Sequence, residues 1–144
     1  MTEFKKKVID ALLMPENQFH PMVHLLGNPE IGEGTYIGLF SEINANKGKI
    51  VIGKNCDIAS FVAINCADSH SKTIGLKEDI TRSTIIIEDN VFIGSHSFIG
   101  GNTQIGHNSV IAAGTILINS GEIPPYSLII GNPAVIKKGY YANK

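Results

Sequence analysis

The chain has 144 residues, 43% of them apolar, and a formal net charge of −1. That length suits a single domain, the charge lacks the basic surplus of a nucleic-acid binder, and no apolar run is long enough to cross a bilayer. Two cysteines, Cys56 and Cys66, make neither a disulfide framework nor a zinc site, and read as small apolar residues in a reducing cytoplasm.

The start, MTEFKKKVIDALLM, carries charges and only a very short apolar stretch, so no secretory signal is expected. Residues 3 to 14 place Phe4, Val8, Ile9 and Leu12 on roughly one face with lysines elsewhere. This predicts a short helix that caps the rest of the fold or packs on its side. Three lysines are ordinary helix decoration rather than a membrane-surface signal.

Beyond the lead-in a period of six takes over. Ile31, Ile37 and Ile43 are six apart, as are Ile52, Ile58 and Ile64, and again Ile87, Ile93, Ile99, Ile105 and Ile111, with Leu117 extending the series. Four residues after most of these stands a small or β-branched residue: Thr35, Ser41, Cys56, Val62, Val91, Ser97, Thr103, Ser109 and Thr115. Glycine often follows the isoleucine. A helix, with ~3.6 residues per turn, would smear such a repeat around its whole surface. A short strand plus a turn, with two positions inward and four outward, fits. Three hexads make one triangular coil of about eighteen residues, and coils stack at roughly 4.8 Å. The expected fold is all-β: a parallel β-helix of hexapeptide repeats over residues 25–119, after an N-terminal helix and lead-in over residues 1–24.

Two intervals break the phase. Ile43 to Ile52 is nine residues, so a short insertion around Asn46-Lys47-Gly48 bulges from a corner. Ile64 to Ile87 is twenty-three residues, which is no multiple of six, so a loop leaves the prism at about residues 65–86. That loop carries His70, and loops on rigid scaffolds often carry function. From residue 120 the sequence reads as a C-terminal extension, because Pro124-Pro125 forbids further helix or central strand. A short final helix or strand is expected over Val135 to Tyr141.

Three stretches carry a resemblance across residues 25 to 138: "IIIEDNVFIGSHSFI", "IAAGTIL" and "IPPYSLIIGNPAVIKK", with a loop histidine about seventeen residues before the first. The chain resembles the hexapeptide-repeat acyltransferases, in particular the small sugar and xenobiotic acetyltransferases that use acetyl-CoA. The resemblance implies a left-handed β-helix, an acetyl-CoA co-substrate, and a cytoplasmic homotrimer with its active sites between subunits. It implies a sugar acceptor carried on a nucleotide as a precursor of surface polysaccharide. It gives His70 the role of general base. Ser95 and Ala113 match positions against the pantetheine arm, and Gly131, Asn132, Pro133 and Ala134 match the turn at the adenosine end. Lys137 matches a basic position near the phosphates. Phe92 stands where the family often has tryptophan, and at Ser120-Gly121-Glu122 the chain reads as two residues longer than the family pattern.

The chemistry this implies needs a base and no covalent intermediate. A neutral imidazole, with a reference pKa of about 6.5, can take a hydroxyl's proton near neutral pH. The oxygen then attacks the thioester carbonyl, and a backbone N–H of a coil turn could serve the oxyanion. Alone, His70 reads as a solvated loop histidine; the segment downstream favours the base. Asp68 lies two residues before His70, and neighbours so spaced in a loop rarely orient one another. His96 and His107 occupy outward positions and read as solvated; His20 and His24 have no evident role. Hydroxyl and amino acceptors both stay open, as does a xenobiotic acceptor. Two other classes compete: a γ-class carbonic anhydrase, whose zinc needs three convergent histidines, and a non-catalytic trimeric scaffold. His96 and His107 are eleven residues apart and should project from different faces, which disfavours zinc.

Overall fold

Every sixth side chain turns inward, and the chain wraps around the row they form. In the computed structural model, which describes residues 2–13 and 17–144, three sheets wall a triangular prism. The first face stacks His24–Leu26, Glu42–Asn44, Ala63–Asn65, Phe98–Gly100 and Ile116–Ile118. The second stacks Glu30–Ile31, Lys49–Ile52, Thr84–Ile87, Thr103–Ile105 and Gly121–Ile123. The third stacks Tyr36–Ile37, Asp57–Ile58, Phe92–Ile93, Val110–Ile111 and Leu128–Ile130. All pairings within these stacks are parallel, in the β-helix that the six-residue period predicts, in its left-handed form.

The register follows the sequence spacing. Phe98 pairs with Ile116, Val110 with Leu128 and Thr103 with Gly121, each eighteen residues on. One coil earlier the step is twenty-one, as in Glu42 with Ala63, and the next is thirty-five, as in Ala63 with Phe98. The excesses of three and seventeen residues are those of the nine- and twenty-three-residue intervals. Ile43, Ile58, Ile64, Ile93, Ile99, Ile105 and Ile111 are fully buried in one continuous core. Each contributes on the order of 1.5–3 kcal/mol relative to an exposed side chain. Between them, buried hydroxyls stitch coil to coil: Ser41 Oγ donates to Ala59 O at 2.9 Å and accepts from Val62 N at 3.1 Å.

All three corners demand left-handed backbone, and two of them answer it differently. Between the second and third faces the positive-φ positions are Gly34, Asn55, Asn90, Asn108 and Tyr126. Asparagine and glycine tolerate that region best. Between the third and first faces they are Phe40, Phe61, His96 and Gly114. There the bulky side chains stack, Phe40 on Phe61 at 5.3 Å and Phe61 on His96 at 4.9 Å between ring centroids.

The prism runs further than residue 119. Gly121–Ile123 and Leu128–Ile130 keep the eighteen-residue register, so the coil stack ends at Ile130 and no bulge appears at Ser120-Gly121-Glu122. Pro124 and Pro125 sit in a corner turn between these strands, where no ladder N–H is needed. After the Gly131–Ala134 turn, Val135–Lys137 folds back antiparallel on the third face. This is the strand alternative for the final segment.

At the other end helix α1 spans Glu3–Leu12, capped by Thr2, whose Oγ1 accepts from Lys5 N at 3.2 Å. Of its expected apolar face only Ile9 is buried, while Phe4 and Leu12 are exposed. Lys5 Nζ of the helix donates to Phe19 O of the lead-in. Met14, the last residue of the expected helix, lies outside the described residues. Among the described residues no helix is long and apolar enough to cross a membrane.

Candidate active site

The seventeen-residue excursion leaves and rejoins the prism at one point. Ser83 N and Ser83 Oγ both donate to Cys66 O, at 2.9 and 3.0 Å. Ala67–Asp68 pairs antiparallel with Thr81–Arg82 to form a short stalk. Arg82 Nη1 donates to Asn46 O at 2.7 Å, which ties the stalk to the small insertion beside it. Above the stalk, helix α2 (His70–Thr73) forms a single turn.

Asp68 starts that turn. Its Oδ1 accepts from His70 N at 3.0 Å and from His70 Nδ1 at 2.6 Å. An ionised carboxylate only accepts, so Nδ1 carries the proton and Nε2 presents a lone pair. The His70 backbone N–H and then its ring hold the Asp68 carboxyl below the usual carboxylate range. Ser71 Oγ lies 3.1 Å from Nε2 and donates to it. The pair is half exposed or more, with side-chain exposures of 71% for His70 and 50% for Asp68. The spacing argument against Asp68 is thus overturned: a tight turn brings a carboxylate two residues away back onto the ring.

His70 stands at the rim of a cleft of about 450 Å³ that opens on the first face. Its floor is built from outward positions of three successive coils: Asn65, Phe98 with Gly100, and Ile118. Ile74 and Thr73 of the loop form the opposite wall. A second cleft of about 270 Å³ continues along the same face and shares Ile118, with Asn132, Pro133 and Ala134 on its far side.

The residues assigned to the co-substrate fall into two groups. Ser95, Ala113 and Gly131 are eighteen residues apart and stack at the corner between the third and first faces. Gly114 N donates to Ser95 O at 2.9 Å and Ile116 N to Gly131 O at 3.2 Å. With Asn132, Pro133 and Ala134 they mark a line of small side chains leading toward the His70 cleft through Ile118. Phe92 and Lys137 lie apart, on the third face. Phe92 is 40% exposed, and Lys137 Nζ sits 5.7 Å from the Tyr140 ring centroid.

The other histidines are engaged at separate places. His96 stacks on Phe61, His107 Nδ1 pairs with Asn108 Oδ1 at 3.0 Å, and His24 Nδ1 meets Glu42 Oε2 at 3.1 Å. Among the described residues no three histidine, cysteine, aspartate or glutamate side chains of the chain gather for a metal ion. Burial raises the Cys56 and Cys66 thiols, which keeps both unreactive. The sequence reading missed Asn65, Phe98 and Gly100. The hexad phase does mark them as outward neighbours of Ile64 and Ile99, but nothing in the period says which face bears a cleft.

Similarity to known proteins bears on this site. The family of bacterial transferase hexapeptide (six repeats) matches residues 84–119. Over 149 residues the chain is 32% identical to the bifunctional protein GlmU of Geotalea uraniireducens, covering 95% of this chain and 30% of that one. It is 34% identical over 113 residues to a "probable carbonic anhydrase" of Methanocaldococcus jannaschii, covering 76% of this chain and 71% of that one. It thus spans about a third of the length of GlmU, and most of the length of the second relative. Among solved structures, AntD, an N-acyltransferase from Bacillus cereus in complex with dTDP and 3-hydroxybutyryl-CoA, superposes with a TM-score of 0.73 at 22% identity, covering 83% of this chain and 67% of that one. The polySia specific acetyltransferase NeuO superposes with a TM-score of 0.65 at 28% identity, covering 81% of this chain and 60% of that one.

Proposed function

We propose, from the premise that this chain belongs to the hexapeptide-repeat transferase family, that it transfers an acetyl group from acetyl-CoA to a hydroxyl or amino group of a sugar. The observation that carries the reading is His70, its Nδ1–H held by Asp68 and its Nε2 turned to accept, now from Ser71, at the rim of a cleft. Similarity to acyltransferases, one of them seen with an acyl-CoA and dTDP, supports it. A nucleotide-linked sugar in the cytoplasm and a homotrimer with sites between subunits complete the proposal.

The co-substrate's chemistry is an activated acyl carbon with a thiolate leaving group. The line from Ser95 and Ala113 to Gly131–Ala134 fits a thin, flexible arm, because it presents small side chains, and Gly114 on the same corner leaves open space. Phe92 and Lys137 would serve it only from the third face or toward a neighbouring subunit. His70 Nε2 accepts the acceptor's proton as its oxygen or nitrogen bonds to the acyl carbon. The carbon–sulfur bond breaks, and the imidazolium, steadied by Asp68, returns the proton to the thiolate. Ser71 must yield its hydrogen bond to Nε2 before the acceptor can take its place.

The test is thiol release from acetyl-CoA across a panel of nucleotide sugars, with wild type and His70→Ala in parallel. A loss of at least about a hundredfold in the variant is expected. Turnover unimpaired by the substitution would remove His70 from the mechanism. A protein that does not bind acetyl-CoA at all would be a scaffold. The Methanocaldococcus relative favours a second reading, zinc-dependent hydration of carbon dioxide. It requires ligands supplied from more than one chain, and hydration activity that appears with added zinc would establish it.

A further inference from the structure

Phe98 and Gly100 flank the buried Ile99 on the strand that floors the His70 cleft, and both face outward. The Phe98 ring leans along the strand and lies over Gly100. A Cβ at position 100 would stand 2.6 Å from Phe98 Cε1. Gly100 is buried beneath the ring although it points away from the core. Glycine here leaves the room that the aromatic ring occupies against the strand, beside the cleft.

The surroundings of that ring have a definite chemistry. Ile118, 51% exposed, continues the apolar floor one coil further. Asn65 uses its Oδ1 to accept from Ala67 N at 2.8 Å, which leaves its amide N–H groups as donors toward the cleft. The second oxygen of Asp68 is a free acceptor at the rim. Among the described residues that line the cleft, none is a lysine or arginine.

We infer that Phe98 is the platform on which the acceptor lies, and that the acceptor is a pyranose without a carboxylate. This rests on the acyltransferase reading above. A pyranose has an apolar C–H face and a rim of hydroxyls. The face stacks on Phe98 and Ile118, the rim takes hydrogen bonds from Asn65 and to Asp68, and one hydroxyl reaches His70. A uronic or sialic acid would bring a second negative charge beside Asp68, where the lining holds no lysine or arginine and Lys77, outside it, already faces Asp68.

The experiment has two arms. In the first, ligand-observed NMR with no acyl donor measures saturation transfer from the protein's aromatic protons to methyl hexosides and to the matching methyl hexuronides. Transfer to the ring protons of at least one hexoside is expected, lost in Phe98→Ala and retained in Phe98→Tyr. In the second, acceptor kinetics compare wild type, Phe98→Ala and Gly100→Ala, whose added methyl lifts the ring off the strand. Both variants should raise the acceptor KM about three- to tenfold, the scale of one aromatic stacking contact, with the acetyl-CoA KM unchanged. Thermal melting controls for folding, and Gly100→Ala, which keeps the phenyl side chain while displacing it, guards against a simple loss of packing at Phe98. Hexuronides bound as well as hexosides, or variants with wild-type acceptor KM, would overturn the platform while leaving the acyltransferase reading intact. Failure of acetyl-CoA turnover on every acceptor would sink that reading, and the NMR arm would still decide the platform.

Discussion

Asp68 grips His70 twice: one carboxylate oxygen accepts from the backbone N–H at 3.0 Å and from ring Nδ1 at 2.6 Å. The same contact that begins a helical turn therefore also sets the tautomer of the proposed base. Asp68→Ala removes both effects and should lower kcat about ten- to a hundredfold, less than loss of the imidazole itself, with a rise in the acceptor KM and little change in that for acetyl-CoA. Asp68→Asn keeps an oxygen able to accept both bonds and should fall between the two. Steady-state kinetics on the three proteins checks the order; equal kcat in wild type and Asp68→Ala would show that the grip is structural only.

The pH dependence of this loop follows from the lowered Asp68 pKa. A carboxyl whose pKa is lower folded than unfolded adds stability that is complete above the unfolded value. That stability is lost as pH falls through the folded value. The turn at residues 68–73 should stay formed through the ordinary carboxylate range and loosen only below it. Backbone amide chemical shifts of His70 and Ser71 followed from pH 7 downward will show this. A midpoint at the ordinary aspartate value would mean that the two hydrogen bonds do not favour the charged form.

Two glycines of the prism should respond to the same added methyl by different amounts and for different reasons. A Cβ on Gly94 would stand 2.4 Å from Ala113 N, a backbone atom of the next coil. Gly114, with φ +72°, has nothing within 4 Å of that position. Gly114→Ala should cost only the left-handed backbone penalty of about 1–2 kcal/mol. Gly94→Ala forces coils apart and should cost at least about 3 kcal/mol. Denaturant unfolding of the two variants tests whether coil contact, rather than backbone conformation, governs these positions.

The architecture was legible because one number controls it. A six-residue period fixes which side chains point inward, and an interval that departs from it must leave the prism. The bulge at residue 46 and the excursion after Ile64 were visible for that reason. Pro124-Pro125 misled about the end of the stack, since proline forbids a ladder N–H but is harmless at a corner, and Ile123 and Ile129 keep the phase. The site was only partly legible. His70 was marked by its place in the excursion, but its Asp68 partner depends on a turn that no spacing rule announces. Phe98 depends on a glycine two residues on, whose value lies in what it omits.

The stalk at Cys66 and Ser83 closes the base of the excursion, and Arg82 fastens it to Asn46. Below and above it the coils pair as though the intervening residues were absent. Scaffold and chemistry are thus separable parts: the segment from Ala67 to Arg82 is a cassette seated in a socket. Doubling the length of such a segment adds only ~0.6 kcal/mol of closure entropy. A prism of this kind can change the base it presents by exchanging one cassette, with no coil of its core obliged to move.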